Sequence, residues 1–202
     1  MSRKRVFYIV FFSVLVLGFF FSLSYALPGF IDPPRKPISV VKPFSFINQD
    51  GDVVTEKAAA GKVSAVNFFF TTCRGICPQM TNNLLPVYEA FKNEPDFMLF
   101  SFTCDPARDS ADRLKRFADS LKVDTRKWVF LTGRKDSLYN TARHSYQLDD
   151  PKNYVQRIED DFLHTQYIAL VNRKGEVMKI YDGIKASEMA QMKAEIKQLL
   201  EE

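Results

Sequence analysis

The sequence predicts a three-layer α/β/α domain with a central mixed sheet, preceded by an N-terminal transmembrane helix. Continuous β-branched and aromatic runs alternate with amphipathic segments along most of the chain, and an apolar run long enough to cross a bilayer opens it. The chain has 202 residues, which leaves room for one domain of ordinary size behind such a helix.

The first segment predicts a membrane anchor. Residues 1–5 form a basic flank that we expect on the cytoplasmic side, and residues 6–27 are apolar apart from Ser, Gly and Tyr. About 20 apolar residues span a bilayer core, whereas the apolar part of a signal peptide has about 7–15. The positive flank predicts that the remaining chain is exported. A cleaved signal peptide is the alternative, because Ser24-Tyr25-Ala26 resembles a processing site.

Residues 28–43 are predicted to form a linker, and residues 44–202 the domain. Prolines in the linker favour extended polyproline geometry and a semi-rigid spacer. They are Pro28, Pro33, Pro34, Pro37 and Pro43.

The first half of the domain predicts a hairpin and two buried strands, each followed by a helix. The hairpin turns at Asp50-Gly51. Residues 63–70 and 97–103 have the continuous apolar character of strands buried on both faces. The first is followed by a helix that ends at Phe91, in which Pro86 predicts a kink or a restart. An amphipathic helix at 111–121 follows the second.

The second half predicts a strand, a helix, a hairpin and a closing helix. The hairpin turns at Arg173-Lys174-Gly175, and Ser187 is a plausible N-cap of the last helix. The strand is predicted at residues 128–131 and the helix at residues 137–146. The two strands of the hairpin are predicted at residues 166–172 and 176–181, and the closing helix at residues 187–200.

Composition excludes two classes of protein. The net charge is +4, and much of the basic excess lies in residues 2–5 and 35–36, outside the predicted domain. Since no basic stripe is interleaved with aromatic residues, a nucleic-acid partner is not expected. Three cysteines are too few for a disulfide-scaffolded protein.

Cys73 and Cys77 stand where a buried strand ends and a helix begins. On a helix, side chains at i and i+4 share one face with Cβ atoms about 5–6 Å apart, so both sulfurs can reach one metal ion. A disulfide becomes feasible if the first turn is irregular. The helix N-terminus favours thiolates, which suit Cu(I), Zn(II) or redox cycling. The alternative is a pair of small buried apolar residues.

The strand, the cysteine pair and the helix, with a later hairpin and helix, indicate a thioredoxin-like domain. His164 directly precedes the strand predicted at 166–172. In a thioredoxin-like sheet the loop that enters this strand lies beside the helix N-terminus. Cys73, Cys77 and His164 would then form a three-ligand site suited to copper. Taken alone, a histidine at this position is more often a loop residue at a strand entrance than a metal ligand.

Several motifs together resemble the Sco/SenC family of copper chaperones. They are residues 67–73, Cys77-Pro78, the run Asp105-Pro106-Ala107-Arg108-Asp109, and His164-Thr165. Residues 127–133 and Tyr181-Asp182-Gly183 fit a bacterial branch of that family. The resemblance covers roughly residues 40–200 and the anchor. Any one motif is weak evidence, whereas the combination is specific.

The resemblance implies a domain that binds copper, Cu(I) or Cu(II), through Cys73, Cys77 and His164. It implies delivery of copper to the binuclear copper centre of cytochrome c oxidase. The expected partners are the oxidase subunit that holds this centre, a copper donor protein, a thiol reductant and the membrane. The expected location is the bacterial cytoplasmic membrane, with a single span and the domain on the periplasmic side. Asp105 is expected near the site. Arg108 and Asp109 are expected to organise the loop that contains Asp105.

Three positions depart from the family pattern. Cys104 stands where an aliphatic residue is usual, and is either a third thiol near the site or a buried apolar residue. Leu163 replaces an acid before His164, so Asp160 or Asp161 is the alternative partner of the imidazole. No proline directly precedes the strand after His164, which disfavours a general thioredoxin-type reductase.

Enzymatic activity is left open. The alternative function is a thiol-disulfide reductase that uses Cys73 and Cys77 as a redox pair and keeps the oxidase copper-site cysteines reduced. A peroxidase of the peroxiredoxin type shares the fold, but Thr72-Cys73 lacks the proline spacing of that class.

Overall fold

The computed structural model describes residues 2–26, 36–153, 157–158 and 161–202. The chain divides into two compact units, Met1–Lys36 and Pro37–Glu202. Residues 28–35 of the predicted linker, and Asp160, lie outside the described residues.

In the described part of the first unit, residues 2–26 and 36, the structure has one helix, α1 (Arg3–Ala26). Its stretch Arg3–Leu23 has a mean hydropathy of 2.6, and none of that stretch is buried. A helix this long and apolar has the composition of a bilayer span. Membrane anchors and signal sequences share these features, and both agree with the predicted N-terminal helix.

The second unit is built on a mixed sheet, as predicted. Its described strands run in the order β1-β8-β7-β4-β5-β6-β2-β3. The three strands at its centre, β4, β5 and β6, are parallel, and every other pairing is antiparallel. The bounds are β1 Ser39–Val40, β2 Ser45–Asn48, β3 Val53–Thr55, β4 Val63–Phe69, β5 Phe97–Thr103, β6 Trp128–Thr132, β7 Tyr167–Val171 and β8 Glu176–Asp182.

Helices cover both faces of this sheet, which confirms the three-layer α/β/α architecture. Helices α2 (Ile76–Phe91), α3 (Ala111–Leu121) and α5 (Ala186–Glu201) share one core with the first face. Helix α4 (Lys135–His144) shares the other core with the second face. Buried strands supply alternate side chains to the two cores, because successive residues of a strand point to opposite faces.

Both predicted hairpins are present. Strands β2 and β3 pair around Gly51, and β7 and β8 pair around Gly175. The two glycines have φ of +88° and +77°, the left-handed region that glycine adopts without steric cost.

Three local predictions differ from the structure. Strand β1 pairs with β8 inside the segment predicted as linker, because Ser39 and Val40 complete that sheet edge. Helix α2 does not restart at Pro86 but continues through it, because the proline is exposed and water can satisfy the carbonyl that lacks an amide partner; a kink there stays a prediction. Ser187 lies inside α5, whose N-cap is Lys185, because a turn between Lys185 and Asp182 starts the helix earlier.

Candidate metal and dithiol site

The cysteine pair lies at the junction of β4 and α2. Cys73 is in the loop between them and is partly exposed, whereas Cys77 is in the first turn of α2 and is buried. Both are free thiols, as is Cys104. Cys73 lies before the N-cap Gly75, so the two cysteines are not an i, i+4 pair on one helix, and both line one cavity.

The two thiols have opposite acidities. Partial burial of Cys73 opposes ionisation. Hydrogen bonds from the Cys77 thiol and from the backbone N–H groups of Cys77, Gly75 and Ile76 outweigh it, and the pKa of Cys73 lies below its ordinary value. Burial, together with the hydrogen bond to Cys73, raises the pKa of Cys77 to about 12. Cys73 is therefore the more acidic and more accessible thiol of the pair.

A small cavity opens beside the pair. Its volume is about 180 Å³, and both cysteines line it. The remaining wall is largely apolar and comes from the loop, α2 and α3: Phe70, Thr71, Pro78, Thr81, Asn82, Phe117 and Leu121. An incoming group can therefore reach Cys73 from this side.

A buried carboxylate holds the cysteine loop in place. Asp109 is fully buried and accepts hydrogen bonds from the Thr71 backbone N–H (3.0 Å) and hydroxyl, and from the Thr103 hydroxyl (2.6 Å). Arg113 in α3 donates to Thr71 at 2.6 Å and lies 3.6 Å from Asp109. Asp109 thus ties the loop after β4 to the end of β5.

Arg108 does not share this role. It is exposed and its Nη1 lies 3.2 Å from Asp105 Oδ2. The Asp105 carboxylate is thereby engaged with Arg108, and its backbone carbonyl accepts from Asp109 at 2.9 Å. Sequence reasoning missed Thr71, Thr103 and Arg113, because isolated hydroxyl and basic residues carry no signal of a shared carboxylate.

His164 lies close to the cysteine loop, with its ring near that of Phe70. Its ring centroid is 6.1 Å from that of Phe70 and 6.3 Å from that of Phe162. Phe70 also lines the cavity of the cysteines, and Ile76, adjacent to Cys77, lines a second cavity with His164. His164 and the two cysteines therefore line different cavities, both of which are bordered by the segment from Phe70 to Cys77.

The cysteine pair fits a soft metal, but the three predicted ligands do not form one cluster. Among the described residues, no group of three His, Cys, Asp or Glu side chains is arranged to hold a metal ion. The involvement of His164 therefore stays a prediction. Metal binding often draws ligands together, because the coordination free energy stabilises an arrangement that the free protein lacks.

Cys104 has the contacts of a small apolar side chain. It packs in the core of the α4 face, whereas Cys77 packs in the core of the opposite face. Its backbone N–H donates to Phe69 at 2.7 Å, and its carbonyl accepts from the Tyr139 hydroxyl at 2.9 Å. Burial raises the pKa of the Cys104 thiol well above its ordinary value.

Asp161 is engaged by an arginine. Both of its carboxylate oxygens accept from Arg143, at 2.7 and 3.0 Å. A second carboxylate, Asp149, accepts from Nε of the same arginine at 2.7 Å. Asp161 was predicted as a partner of the imidazole, whereas this contact anchors the loop three residues before His164. Nothing in the sequence pairs Arg143 with these acids.

Comparison with known proteins decides the family. A family model described as SCO1/SenC matches residues 32–201, most of the chain. The chain belongs to the SCO1/SenC family. Its curated relatives include the SCO1 protein homolog of Bacillus subtilis, 35% identical over 147 residues, which cover 71% of this chain and 74% of the relative.

Solved structures of SCO1/SenC proteins share the fold. BsSco, described as a member of the Sco family of cytochrome c oxidase assembly proteins with an identified disulfide switch, is 31% identical with a TM-score of 0.67, covering 82% of this chain and 97% of that one. Arabidopsis thaliana ScoI, solved with copper bound, is 27% identical with a TM-score of 0.62, covering 79% and 99%.

Proposed function

We propose that this SCO1/SenC protein is a membrane-anchored copper metallochaperone for cytochrome c oxidase. It binds Cu(I) or Cu(II) through Cys73, Cys77 and His164 and transfers it to the oxidase subunit with the binuclear copper centre. The observation that supports this most is the pair of free thiols that line one open cavity. The copper-bound Arabidopsis relative supports the choice of metal.

The acidity of the two thiols suits reversible copper binding. Cys73 offers a thiolate at the surface, where an incoming ligand can approach, and Cys77 holds the ion from the buried side. Because a partner thiolate can replace Cys73 first, copper can pass by ligand exchange without release into water. A copper donor protein loads the site, and a thiol reductant keeps both sulfurs available.

The location proposed for this transfer is the periplasmic side of a bacterial cytoplasmic membrane. Helix α1 serves as a single anchor with its basic flank in the cytoplasm. Anchoring keeps the chaperone at the membrane in which the oxidase is assembled.

The test is copper titration of the full-length reduced chain in detergent. Wild type should bind one copper per chain, and Cys73→Ser or Cys77→Ser should abolish tight binding. His164→Ala should weaken Cu(II) at least about tenfold and Cu(I) far less, because imidazole contributes more to Cu(II) than to Cu(I) coordination.

The matched control is Cys104→Ser. It removes a thiol that lies in the opposite core, so one copper per chain should remain. If His164→Ala lowers the affinities for Cu(I) and Cu(II) equally, histidine ligation is contradicted. If the reduced wild-type protein binds no copper, the proposal is refuted.

A thiol-disulfide reductase is the second candidate, favoured by the different acidities of the two cysteines. The Cys73 thiolate attacks a substrate disulfide and forms a mixed disulfide, releasing one substrate thiolate. Cys77 then loses its proton and attacks Cys73, which closes the Cys73–Cys77 disulfide and releases the second substrate thiol. A thiol reductant must restore the pair. Turnover of a disulfide-bonded oxidase copper-site peptide, with no stoichiometric copper bound, would select this function.

A further inference from the structure

The segment that presents His164 is held by three inward-facing residues. Residues 161–166 have no regular secondary structure and enter β7. Asp161, Leu163 and Thr165 are buried, while Phe162 and His164 between them are exposed. The direction of the imidazole therefore depends on how firmly the inward side chains are anchored.

The strongest of these anchors is the contact between Asp161 and Arg143. Arg143 lies near the end of α4 and is only 2% exposed. Its two terminal nitrogens bind both oxygens of Asp161, and its Nε binds Asp149, so one side chain joins α4, the loop after it and the histidine segment. Only the planar guanidinium offers this many fixed donors.

The same arginine is connected to the strands of the cysteine site. Its guanidinium lies 5.7 Å from the centre of the Tyr139 ring, and the Tyr139 hydroxyl donates to the carbonyl of Cys104 at 2.9 Å. Cys104 in turn donates its N–H to Phe69, the last residue of β4, from which the loop to Cys73 starts. The histidine segment is thus connected, through Arg143, Tyr139 and Cys104, to the end of β4, where the loop that carries Cys73 begins.

We propose that Arg143 is a positioning residue, which holds Asp161 so that His164 stands ready beside the cysteine loop to complete the copper site. This rests on the proposed copper-binding function. Loss of the contact frees the start of the histidine segment, so imidazole ligation weakens while the two thiols are unaffected. The state that needs imidazole most, Cu(II), should lose most.

The experiment compares Arg143→Lys with wild type in the full-length chain in detergent. Lysine keeps the positive charge but cannot make the two-pronged contact to Asp161. We expect Cu(II) affinity to fall about 10–100-fold, the range typical when a residue that orients a metal ligand is lost. Cu(I) affinity should change little, and the Cu(II) electron paramagnetic resonance spectrum should lose imidazole nitrogen coupling.

The matched control is Arg173→Lys. Arg173 is a less buried arginine whose Nη1 lies 2.7 Å from Asp96, at the opposite end of β7 from His164. The Arg173→Lys variant should leave the Cu(I) affinity, the Cu(II) affinity and the Cu(II) electron paramagnetic resonance spectrum unchanged. If Arg143→Lys does not fold, Asp161→Asn provides the same comparison with a smaller change.

A metal-free readout separates this inference from the copper proposal. In wild type, the Phe70 and Phe162 rings should shift the His164 ring protons in the NMR spectrum, because both lie within 6.3 Å. Arg143→Lys should move these signals toward the values of an unstructured histidine. Wild type without copper would overturn the proposed function, whereas unchanged ring shifts, or an unchanged Cu(II) affinity and spectrum, would overturn the role of Arg143.

Discussion

At the scale of single residues, Cys73 and Cys77 differ because their surroundings differ. Cys73 receives several hydrogen bonds from the start of α2, whereas Cys77 is buried one turn further on. The start of α2 therefore favours ionisation of Cys73, whereas burial disfavours ionisation of Cys77. Cys73 is the accessible sulfur of the pair, and Cys77 is the buried one.

This difference predicts selective alkylation. At pH 8 iodoacetamide should modify Cys73 at least about 100-fold faster than Cys77, since each unit of pKa changes the thiolate fraction up to tenfold. Cys77→Ala should move the midpoint of the rate–pH curve of Cys73 to higher pH, because it removes a donor that stabilises the Cys73 thiolate. Mass spectrometry of timed samples measures both effects.

The control for this change is Cys77→Ser, which keeps a hydroxyl donor at the same position and should raise the Cys73 midpoint less. An unchanged midpoint in Cys77→Ala would mean that the backbone donors alone set the acidity of Cys73.

At the scale of elements, the cysteine loop depends on contacts between strands. Asp109 follows β5, yet its carboxylate binds Thr71 in the loop after β4. A buried carboxylate that satisfies three donors is difficult to replace, because each donor would be left unpaired.

Asp109→Ala should therefore lower the free energy of unfolding by about 3 kcal/mol, as expected for donors left buried and unsatisfied. Urea unfolding followed by circular dichroism measures this. Asp112→Ala, an exposed acid in the first turn of α3, should cost less than about 1 kcal/mol. Equal losses in both variants would contradict the role assigned to Asp109.

At the scale of the whole molecule, the site gathers at one end of the sheet. Cys73 and Asp105 follow the carboxyl ends of the parallel strands β4 and β5, and His164 precedes the antiparallel strand β7. An antiparallel strand starts where its parallel neighbours end, so these three segments meet at one edge.

The anchor, with its basic flank in the cytoplasm, predicts that the domain lies on the periplasmic side of the membrane. Alkaline phosphatase fused after Glu202 should be active in a bacterial host, because its disulfides form only after export. The same fusion without residues 2–26 should be inactive. The intact mass of the purified chain then distinguishes a retained anchor from cleavage after Ala26, and an inactive full-length fusion would contradict the predicted orientation.

The sequence by itself determined the elements and the closeness of Cys73 and Cys77. Both follow from short-range patterns: runs of apolar residues define buried strands, and two cysteines four residues apart at a strand-to-helix junction remain near each other along the chain. Family motifs then predicted the histidine, which the fold brings to the same end of the sheet.

Only the tertiary structure decided how these residues are held. The contact of Arg143 with Asp149 and Asp161, the ring of Phe70 beside His164, and the packing of Cys104 in the opposite core all join residues far apart in the chain. The burial and the hydrogen-bond partners of a side chain depend on which distant segments pack together, and no local sequence pattern encodes that packing. Thiol acidity and imidazole placement are therefore properties of the folded domain.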